Sequence, residues 1–273
     1  DIVHARSRVP AWLGFFAKGS IPFVTTVHGF NSVGLYSSVM TRGDRVICVS
    51  NPIKEYIVRH YGVDEKKIRV IHRGVDLEAF DPKKLDRIFI EEFKRRWGLG
   101  GRFVITAVGR ITQLKDYETF IEAVASVRQK NPKALGIISG GVQKGKEDYF
   151  QRLQALNQKL GSPVLFVGSQ SKIAEIYALS DVVVNSSKKP ESFGRSLVEA
   201  MAMERPVVAA AHGGALDIVQ EDTGALFEPG SAEDLAKKIV GVEVQRDLRG
   251  YVQERFSLDQ MVQKTLGVYE ELL

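Results

Sequence analysis

Two glutamates eight positions apart, Glu191 and Glu199, stand in the segment PESFGRSLVEA, residues 190–200. The segment follows the apolar run Asp181–Val184, so Glu191 is predicted to lie in a loop at the end of a buried strand. Glu199 is predicted one turn into the helix that follows. Carboxylates at strand ends of an open α/β sheet are placed to accept hydrogen bonds from the hydroxyls of a ribose or hexose. Backbone N–H groups at Phe193-Gly194 would face a phosphate or sugar at the helix start.

A second interpretation of the same glutamates is structural. Ser196 and Glu199 have the spacing of a capping box, in which the glutamate closes the first turn of the helix. Glu191 has no comparable structural role and would otherwise be a solvated loop carboxylate. Both interpretations of Glu199 stay open at the level of the sequence.

A second cluster of polar residues is GRITQLKD, residues 109–116, which also follows an apolar run and precedes a helical pattern. Arg110 and Lys115 supply two cations beside a helix N-terminus, where amide groups and the helix dipole favour an anion. A diphosphate fits this combination. The alternative is a surface arginine and a lysine beside Asp116, which could cap the helix.

In their order and spacing, these segments resemble retaining glycosyltransferases of family 4. Glu191 and Glu199 resemble the family's Glu-x7-Glu signature, and Arg110 with Lys115 its diphosphate-binding pair. Further matching segments lie along nearly the whole chain: Thr26-Val27-His28-Gly29, Val49-Ser50-Asn51, Arg73-Gly74-Val75-Asp76, Arg205 to Ala209, Thr223-Gly224 and Pro229-Gly230. The family more often has Asn-Gly-Val-Asp where this chain has Arg73 to Asp76.

The resemblance implies roles for individual residues. Glu199 would bind the donor ribose, Glu191 the donor sugar, and Arg110 with Lys115 the diphosphate as its charge develops. Four residues would act in catalysis: His28, Arg110, Lys115 and Glu191. The implied donor-binding set is Gly109, Arg110, Lys115, Gln170, Glu191, Phe193, Gly194, Arg195, Ser196, Leu197 and Glu199, with Gln170 near the base and 194–197 acting through backbone amides.

The implied reaction moves a hexose from a UDP- or GDP-linked sugar to a hydroxyl of a glycan or glycolipid acceptor, as in surface glycan or lipopolysaccharide synthesis. No cofactor is expected. Retaining hydrolases place two carboxylates about 5 Å apart across the sugar, but Glu199 is assigned to the ribose. Front-face attack is therefore favoured, with the leaving phosphate taking the acceptor proton. No Asp-x-Asp pair occurs, so no required metal is expected.

The elements that must position these residues follow from the hydrophobic pattern. Short Val/Ile-rich runs alternate with helical patterns along the chain, which is typical of βαβ units with buried parallel sheets. The fold class is therefore α/β. With the resemblance it is identified as the GT-B type, with two Rossmann-like doubly wound domains of which the N-terminal one is incomplete.

The charged and glycine-rich stretch near 76–101 divides the chain. The expected domains are a partial acceptor-side domain at 1–82, a linker at 83–101, a nucleotide-sugar domain at 102–255, and a C-terminal helix at 256–273 that packs back toward the first domain. Two departures from the family stand out: the Gly-rich loop after the first N-terminal strand is missing, and Ile138 to Gly141 replaces a common Gly-Asp-Gly.

Other function classes fit the sequence less well. A non-catalytic nucleotide-sugar-binding fragment is an alternative because of the missing loop, and a GT-B nucleotide-sugar epimerase is another. The cation loop together with Glu-x7-Glu argues against the epimerase. No Gly-x-Gly-x-x-Gly joins a strand to a helix, which disfavours NAD chemistry.

The charge and cysteine content bear on location and partners. The net charge of +5 suits an anionic ligand or membrane surface, but no aromatic-basic repeat indicates nucleic acid. The single cysteine, Cys48, lies in an apolar run and favours a reducing, cytoplasmic compartment. The segment from Trp12 to Lys18 adds an expectation of peripheral docking on the anionic inner face of the cytoplasmic membrane.

Overall fold

The computed structural model describes residues 1–273 and contains two sheets. The first has four parallel strands in sequence order, β1 (Val3–Ala5), β2 (Phe23–Val27), β3 (Arg45–Cys48) and β4 (Ile68–Val70). Between them lie α1 (Arg8–Ala17), α2 (Leu35–Ser38) and α3 (Asn51–Tyr61). Every residue of β2 is buried, which explains why its sequence is apolar or threonine throughout.

Helix α4 (Arg87–Trp97) precedes the second sheet. That sheet consists of β5 (Phe103–Val108), β6 (Ala134–Ser139), β7 (Val164–Gly168), β8 (Val182–Asn185), β9 (Val207–Ala210) and β10 (Gly224–Phe227). Its helices are α5 (Tyr117–Lys130), α6 (Glu147–Lys159), α7 (Ile173–Ala178), α8 (Arg195–Ala202), α9 (Ala215–Ile218) and α10 (Ala232–Gly241).

The strand order of the second sheet is β10-β9-β8-β5-β6-β7, all parallel. The order reverses between β5 and β8, so the loops that follow these two strands diverge and leave a crevice between them. This is the topological switch point at which open α/β sheets bind ligands. The predicted α/β class, with a doubly wound second sheet, is confirmed.

The last two helices, α11 (Leu248–Phe256) and α12 (Leu258–Glu270), lead the chain back to the first sheet. Val268 of α12 is buried with Val24 and Ile47 of that sheet. Beyond the helix, the Glu271 carboxylate accepts hydrogen bonds from Arg45 (2.6 Å) and Arg69 (2.8 and 2.6 Å). Apolar packing and charge therefore both fix the C-terminal segment on the first sheet.

The chain passes between the two sheets at two points that lie side by side. Val75 donates its N–H to the carbonyl of Phe256 (2.8 Å) and accepts from Leu258 N–H (3.0 Å). Gly74 lies so close that a Cβ placed there would be 2.4 Å from the Leu258 Cα. The outgoing and returning segments are thus bound to each other.

The segment 83–101, expected as a linker, contains α4 rather than open chain. Asp86 accepts from the Phe89 N–H (3.0 Å) at the start of the helix, and Gly98 ends it with a φ of 63°. Phe93 is buried against the second sheet's cluster of Val104, Leu135 and Ile137. The division at 82/83, 101/102 and 255/256 stays a proposal. None of the helices is both long and apolar enough to cross a membrane.

Candidate active site

Two loops meet at the switch point, and they are hydrogen-bonded to each other. The loop after β5 carries Lys115, and the loop after β8 carries Glu191. Lys188 donates its backbone N–H to the carbonyl of Leu114 (2.8 Å), and Ser186 donates its hydroxyl to the carbonyl of Lys115 (2.8 Å). The two predicted polar segments are therefore parts of one local structure.

The side chains of Lys115 and Glu191 form an ion pair in this crevice, with 2.5 Å between Nζ and Oε1. The Ser187 hydroxyl donates to the same carboxylate oxygen. Burial raises the pKa of the Glu191 carboxyl, but the charge and hydrogen bond of Lys115, together with hydrogen bonds from Ser187 and Asn185, bring the pKa below its usual value. Glu191 is therefore a carboxylate at neutral pH.

Gly109 makes room for the lysine. Its φ of 150° lies in the region that favours glycine, and a Cβ there would be 2.7 Å from the Lys115 Cε. The buried Tyr117 donates its hydroxyl to the Gly109 carbonyl (2.7 Å), which holds the loop in place. Any side chain at 109 would displace the ammonium group from Glu191.

Glu199 is 6% exposed on α8. Its carboxylate accepts from the Tyr177 hydroxyl (2.9 Å) and from Nε of Arg195 (2.7 Å). Helix α8 has Gly194 as its N-cap and no side-chain cap hydrogen bond, and Ser196 lies inside the first turn. The capping-box interpretation of Glu199 is therefore wrong, because Ser196 lies two residues after the N-cap, Gly194.

A glycine pair supports the loop that carries Glu191. Gly214 donates its N–H to the Glu191 carbonyl (2.8 Å), and a Cβ on Gly214 would lie 2.2 Å from the Phe193 carbonyl oxygen. A Cβ on Gly213 would likewise lie 2.4 Å from the carbonyl oxygen of Glu191. Only residues without a side chain allow the two loops to approach this closely.

His28 and Arg73 stand on the opposite wall, which the first sheet provides. Arg73 donates from a terminal nitrogen to Nδ1 of His28 (3.0 Å), so the imidazole proton resides on Nε2. Burial, followed by the charges of Arg73 and Arg6, lowers the His28 pKa to about 4. The ring is therefore neutral above that pH and carries its one N–H donor on Nε2.

The cleft between the walls has a volume of about 360 Å³. Its lining comes from both sheets: Gly29, Phe30 and Arg73 from the first, and Leu114 with residues 190–195 from the second. No group of three or more His, Cys, Asp and Glu side chains is placed to hold a metal ion.

The remaining predicted residues have varied surroundings. Arg110 is exposed and forms no side-chain hydrogen bond or ion pair within the protein. The Gln170 amide donates to the Val167 carbonyl (2.6 Å), while Leu197 is fully buried and donates its N–H to the Gly194 carbonyl (3.0 Å). Ser196 lies half-buried in the first turn of α8, where helix N–H groups lack intrahelical partners. The backbone N–H of Leu197, one of the four predicted to hold a ligand, is therefore already used within the protein.

One residue joins the two walls. Asp217 of α9 accepts from the backbone N–H of Asn51 (2.7 Å), from the Asn51 amide (3.2 Å) and from Nε2 of His72 (2.9 Å). Burial raises the Asp217 pKa, but the hydrogen bonds from His72 and Asn51 lower it below its usual value. The centroid of the His72 ring lies 6.1 Å from that of the Phe193 ring, in the loop that carries Glu191.

Sequence reasoning missed Ser187, Tyr177 and Asp217 as partners of the site, and it assigned Arg73 no role. Ser187 has a positional signal, because it follows a predicted strand. Tyr177 and Asp217 have none, since their contacts depend on how separate elements pack.

Comparison with known proteins gives two family matches. Residues 89–255 match the glycosyl transferases group 1, and residues 1–79 match glycosyltransferase family 4. A D-inositol 3-phosphate glycosyltransferase of Salinispora arenicola is 27% identical over 308 residues, covering 99% of this chain and 68% of that protein.

Two solved structures resemble the chain over its full length. A glycosyltransferase from Rickettsia africae has a TM-score of 0.90 and 31% identity, with 76% of that chain covered. The HepE protein of Anabaena in complex with UDP has a TM-score of 0.86 and 25% identity, with 79% covered. The predicted GT-B architecture is confirmed.

Proposed function

We propose, from the premise that this chain belongs to the glycosyl transferases group 1 family, that it transfers a hexose from a nucleotide-diphosphate sugar to an acceptor hydroxyl with retention of configuration. The observation that carries the proposal is the cleft at the switch point. Its second-sheet wall carries Glu191, which is paired with Lys115, and its first-sheet wall carries Arg73, which is hydrogen-bonded to His28. A donor lying across the second sheet would present its sugar to a hydroxyl held by the first.

The donor is assigned to the second sheet. Lys115 has three N–H donors, and the ion pair with Glu191 uses one of them, so the others remain for phosphate oxygens. Arg110 is exposed and unpaired and supplies a second cation. Glu199 keeps lone pairs for ribose hydroxyls beyond those that Tyr177 and Arg195 use. Gln170 is assigned to the base, and a uridine donor is supported by the UDP complex of the Anabaena relative.

The chemical step is assigned to front-face attack. The acceptor oxygen approaches the anomeric carbon from the side of the leaving diphosphate, which takes the acceptor proton. Lys115, Arg110 and the α8 amides balance the charge that develops on the phosphate, and this arrangement requires no metal. The neutral His28 donates Nε2–H to a sugar or acceptor oxygen. Glu191, fixed by Lys115 and Ser187, accepts from a sugar hydroxyl.

A panel of nucleotides tests the donor assignment. UDP or GDP, at about 100 times its dissociation constant, is expected to stabilise the folded protein by about 2.7 kcal/mol. That corresponds to a rise in Tm of several degrees for a chain of this size, measured by thermal shift in the presence of EDTA. Uridine and guanosine monophosphates are the controls, because they lack the β-phosphate. No shift with any nucleoside diphosphate would contradict the proposed function.

The acceptor is assigned to surface glycans or lipopolysaccharide precursors at a membrane. Helix α1 exposes Val9, Leu13 (68% exposed) and Phe16 (77% exposed) on one side, and α2 adds Leu35. Cations surround this apolar patch, since the Arg42 guanidinium lies 5.5 Å from the Trp12 ring and Arg8 lies 5.1 Å from Tyr36. Apolar side chains rimmed by cations fit an anionic lipid surface.

Vesicle flotation tests this contact. The protein is expected to float with vesicles that contain phosphatidylglycerol and to stay behind with neutral phosphatidylcholine alone. Phe16→Ser should weaken binding about tenfold or more, because burying a phenylalanine contributes about 1.5–3 kcal/mol. Val240→Ser, on the exposed face of α10, is the matched control. Equal flotation of Phe16→Ser and the unaltered protein would exclude α1 as the docking element.

A further inference from the structure

Arg73 has a positive charge without a counter-ion. It follows β4 and is half-buried, and none of the protein's ion pairs involves Arg73 or its neighbour in space Arg6. One terminal nitrogen is used by His28, and Nε is buried with no hydrogen-bond partner. Buried polar groups in native proteins are almost always paired, so an unpaired one calls for an explanation.

The surroundings of Arg73 add positive charge instead of neutralising it. Burial lowers the pKa of the guanidinium, and the charges of Arg6 and Arg195 lower it further. Arg195 is itself paired with Glu199 on the opposite wall. A guanidinium that is desolvated and surrounded by cations is stabilised when an anion binds beside it.

Arg73 stands between two spaces. Arg73 lines the cleft between the two sheets, together with Glu191 and Phe193. It also lines a cavity of about 310 Å³ between the first sheet and α12. That second cavity contains the polar side chains of His4, Thr26 and Tyr269, together with Arg6 and His28. The donor's phosphates are assigned to Lys115 and Arg110 of the second sheet, so the cations of the first sheet lie on the acceptor side.

We propose that Arg73, with Arg6, binds an oxyanion carried by the acceptor, either a phosphate ester or a carboxylate, beside the hydroxyl that His28 orients. A guanidinium matches the paired oxygens of both groups. The family that the chain resembles more often has asparagine at this position. This inference rests on the proposed function and names the class of acceptor: an anionic sugar or glycolipid.

Binding of simple sugars to the UDP-bound protein tests the inference. The probes are glucose 6-phosphate and glucuronate as anionic sugars and methyl glucoside as the neutral one, measured by calorimetry at low and high salt. Glucose 6-phosphate or glucuronate is expected to bind at least about tenfold more tightly than methyl glucoside, and added salt should reduce the difference. Comparison of the phosphate with the carboxylate identifies which anion the site prefers.

Arg73→Asn should abolish the preference for anionic sugars while the affinity for UDP changes less than about twofold. Arg73→Lys keeps the charge and loses the paired geometry, so it should retain part of the preference. Arg59→Asn, an exposed arginine on α3, is the matched control and should change neither affinity. The thermal unfolding of each variant is recorded to show that the fold is intact.

Two results would overturn the inference. One is equal affinity of the unaltered protein for anionic and neutral sugars. The other is a loss of UDP affinity in Arg73→Asn that equals the loss for anionic sugars, which would assign Arg73 to the donor. In both cases UDP still binds the unaltered protein, so the proposed function would stand. Absence of UDP binding is the separate result that contradicts the function itself.

Discussion

Replacing Lys115 by methionine is expected to lower kcat by about 10²–10³, the loss found when a preorganised donor to a developing charge is removed. The ammonium group is held 2.5 Å from the Glu191 carboxylate. The end of the lysine side chain packs against Gly109, where a Cβ would lie 2.7 Å from the Lys115 Cε. It therefore needs no reorganisation to meet the leaving diphosphate. Methionine has a similar length and no charge, so it preserves packing and removes only the cation. Steady-state kinetics of transfer measure the effect.

The same substitution should also lower stability, because it leaves the Glu191 carboxylate without its cation. Losing one partner of a fully buried pair costs about 3–5 kcal/mol, and this pair is about one-fifth exposed, so a smaller loss is expected. The lowered pKa of Glu191 means that its stabilising contribution is present above its unfolded pKa and lost as the pH falls through the folded value. The free energies of unfolding of the unaltered protein and of Lys115→Met should therefore become similar at acid pH.

A double variant separates the two effects. Lys115→Met with Glu191→Gln removes the unpaired carboxylate and should recover most of the lost stability, as measured by denaturant unfolding at pH 7. Its activity should stay low, because the cation is still absent. Recovery of kcat together with stability would mean that Lys115 acts only by neutralising Glu191 and would exclude the electrostatic role in the transfer step.

Replacing Glu199 by glutamine is expected to weaken binding of the nucleoside diphosphate about 10- to 100-fold, since a hydrogen bond to a charged group contributes about 1.5–3 kcal/mol. The structure removes the alternative explanation for a loss. Gly194 caps α8, so Glu199 does not close the first turn and glutamine should leave the helix intact. Calorimetric titration with UDP and GDP measures the affinity.

Tyr177→Phe is the matched control for this prediction. It removes the hydrogen bond from the Tyr177 hydroxyl to Glu199 but keeps the carboxylate and the aromatic packing. Donor affinity should fall far less than in Glu199→Gln. If both variants bind the donor as the unaltered protein does, Glu199 is a buried structural carboxylate held by Tyr177 and Arg195, and its assignment to the ribose is wrong.

The architecture could be predicted because the strands of a parallel sheet carry a strong sequence signal. β8 and β9 are buried at every position, and their residues are almost all valine or alanine. Helix α4 was missed inside the expected linker. The segment contains the N-cap Asp86, the C-terminal Gly98 and the apolar Phe89 and Phe93, but its many charges and glycines led to its prediction as a linker.

The site was predictable only in outline. Residues that follow strands could be placed at one edge of the sheet, and the structure brings Lys115 and Glu191 together there. The capping-box alternative for Glu199 failed because the helix boundary was set by Gly194, two residues before Ser196. The contacts of Asp217 with Asn51 and His72 could not be predicted, since they depend on the mutual position of two separate sheets.

The pairing of Val75 with Phe256 and Leu258 bears on how such a protein can be recombined. Residues 76–256 leave and re-enter the first domain through one hydrogen-bonded junction, so in topological terms the domain built on the second sheet is an insert within the domain built on the first. Its two ends are adjacent, so exchanging it for that of a relative requires two splices that lie side by side, at Gly74-Val75 and Ser257-Leu258. Such a graft would leave the C-terminal helix on the sheet against which it packs, and it would exchange only the domain built on the second sheet.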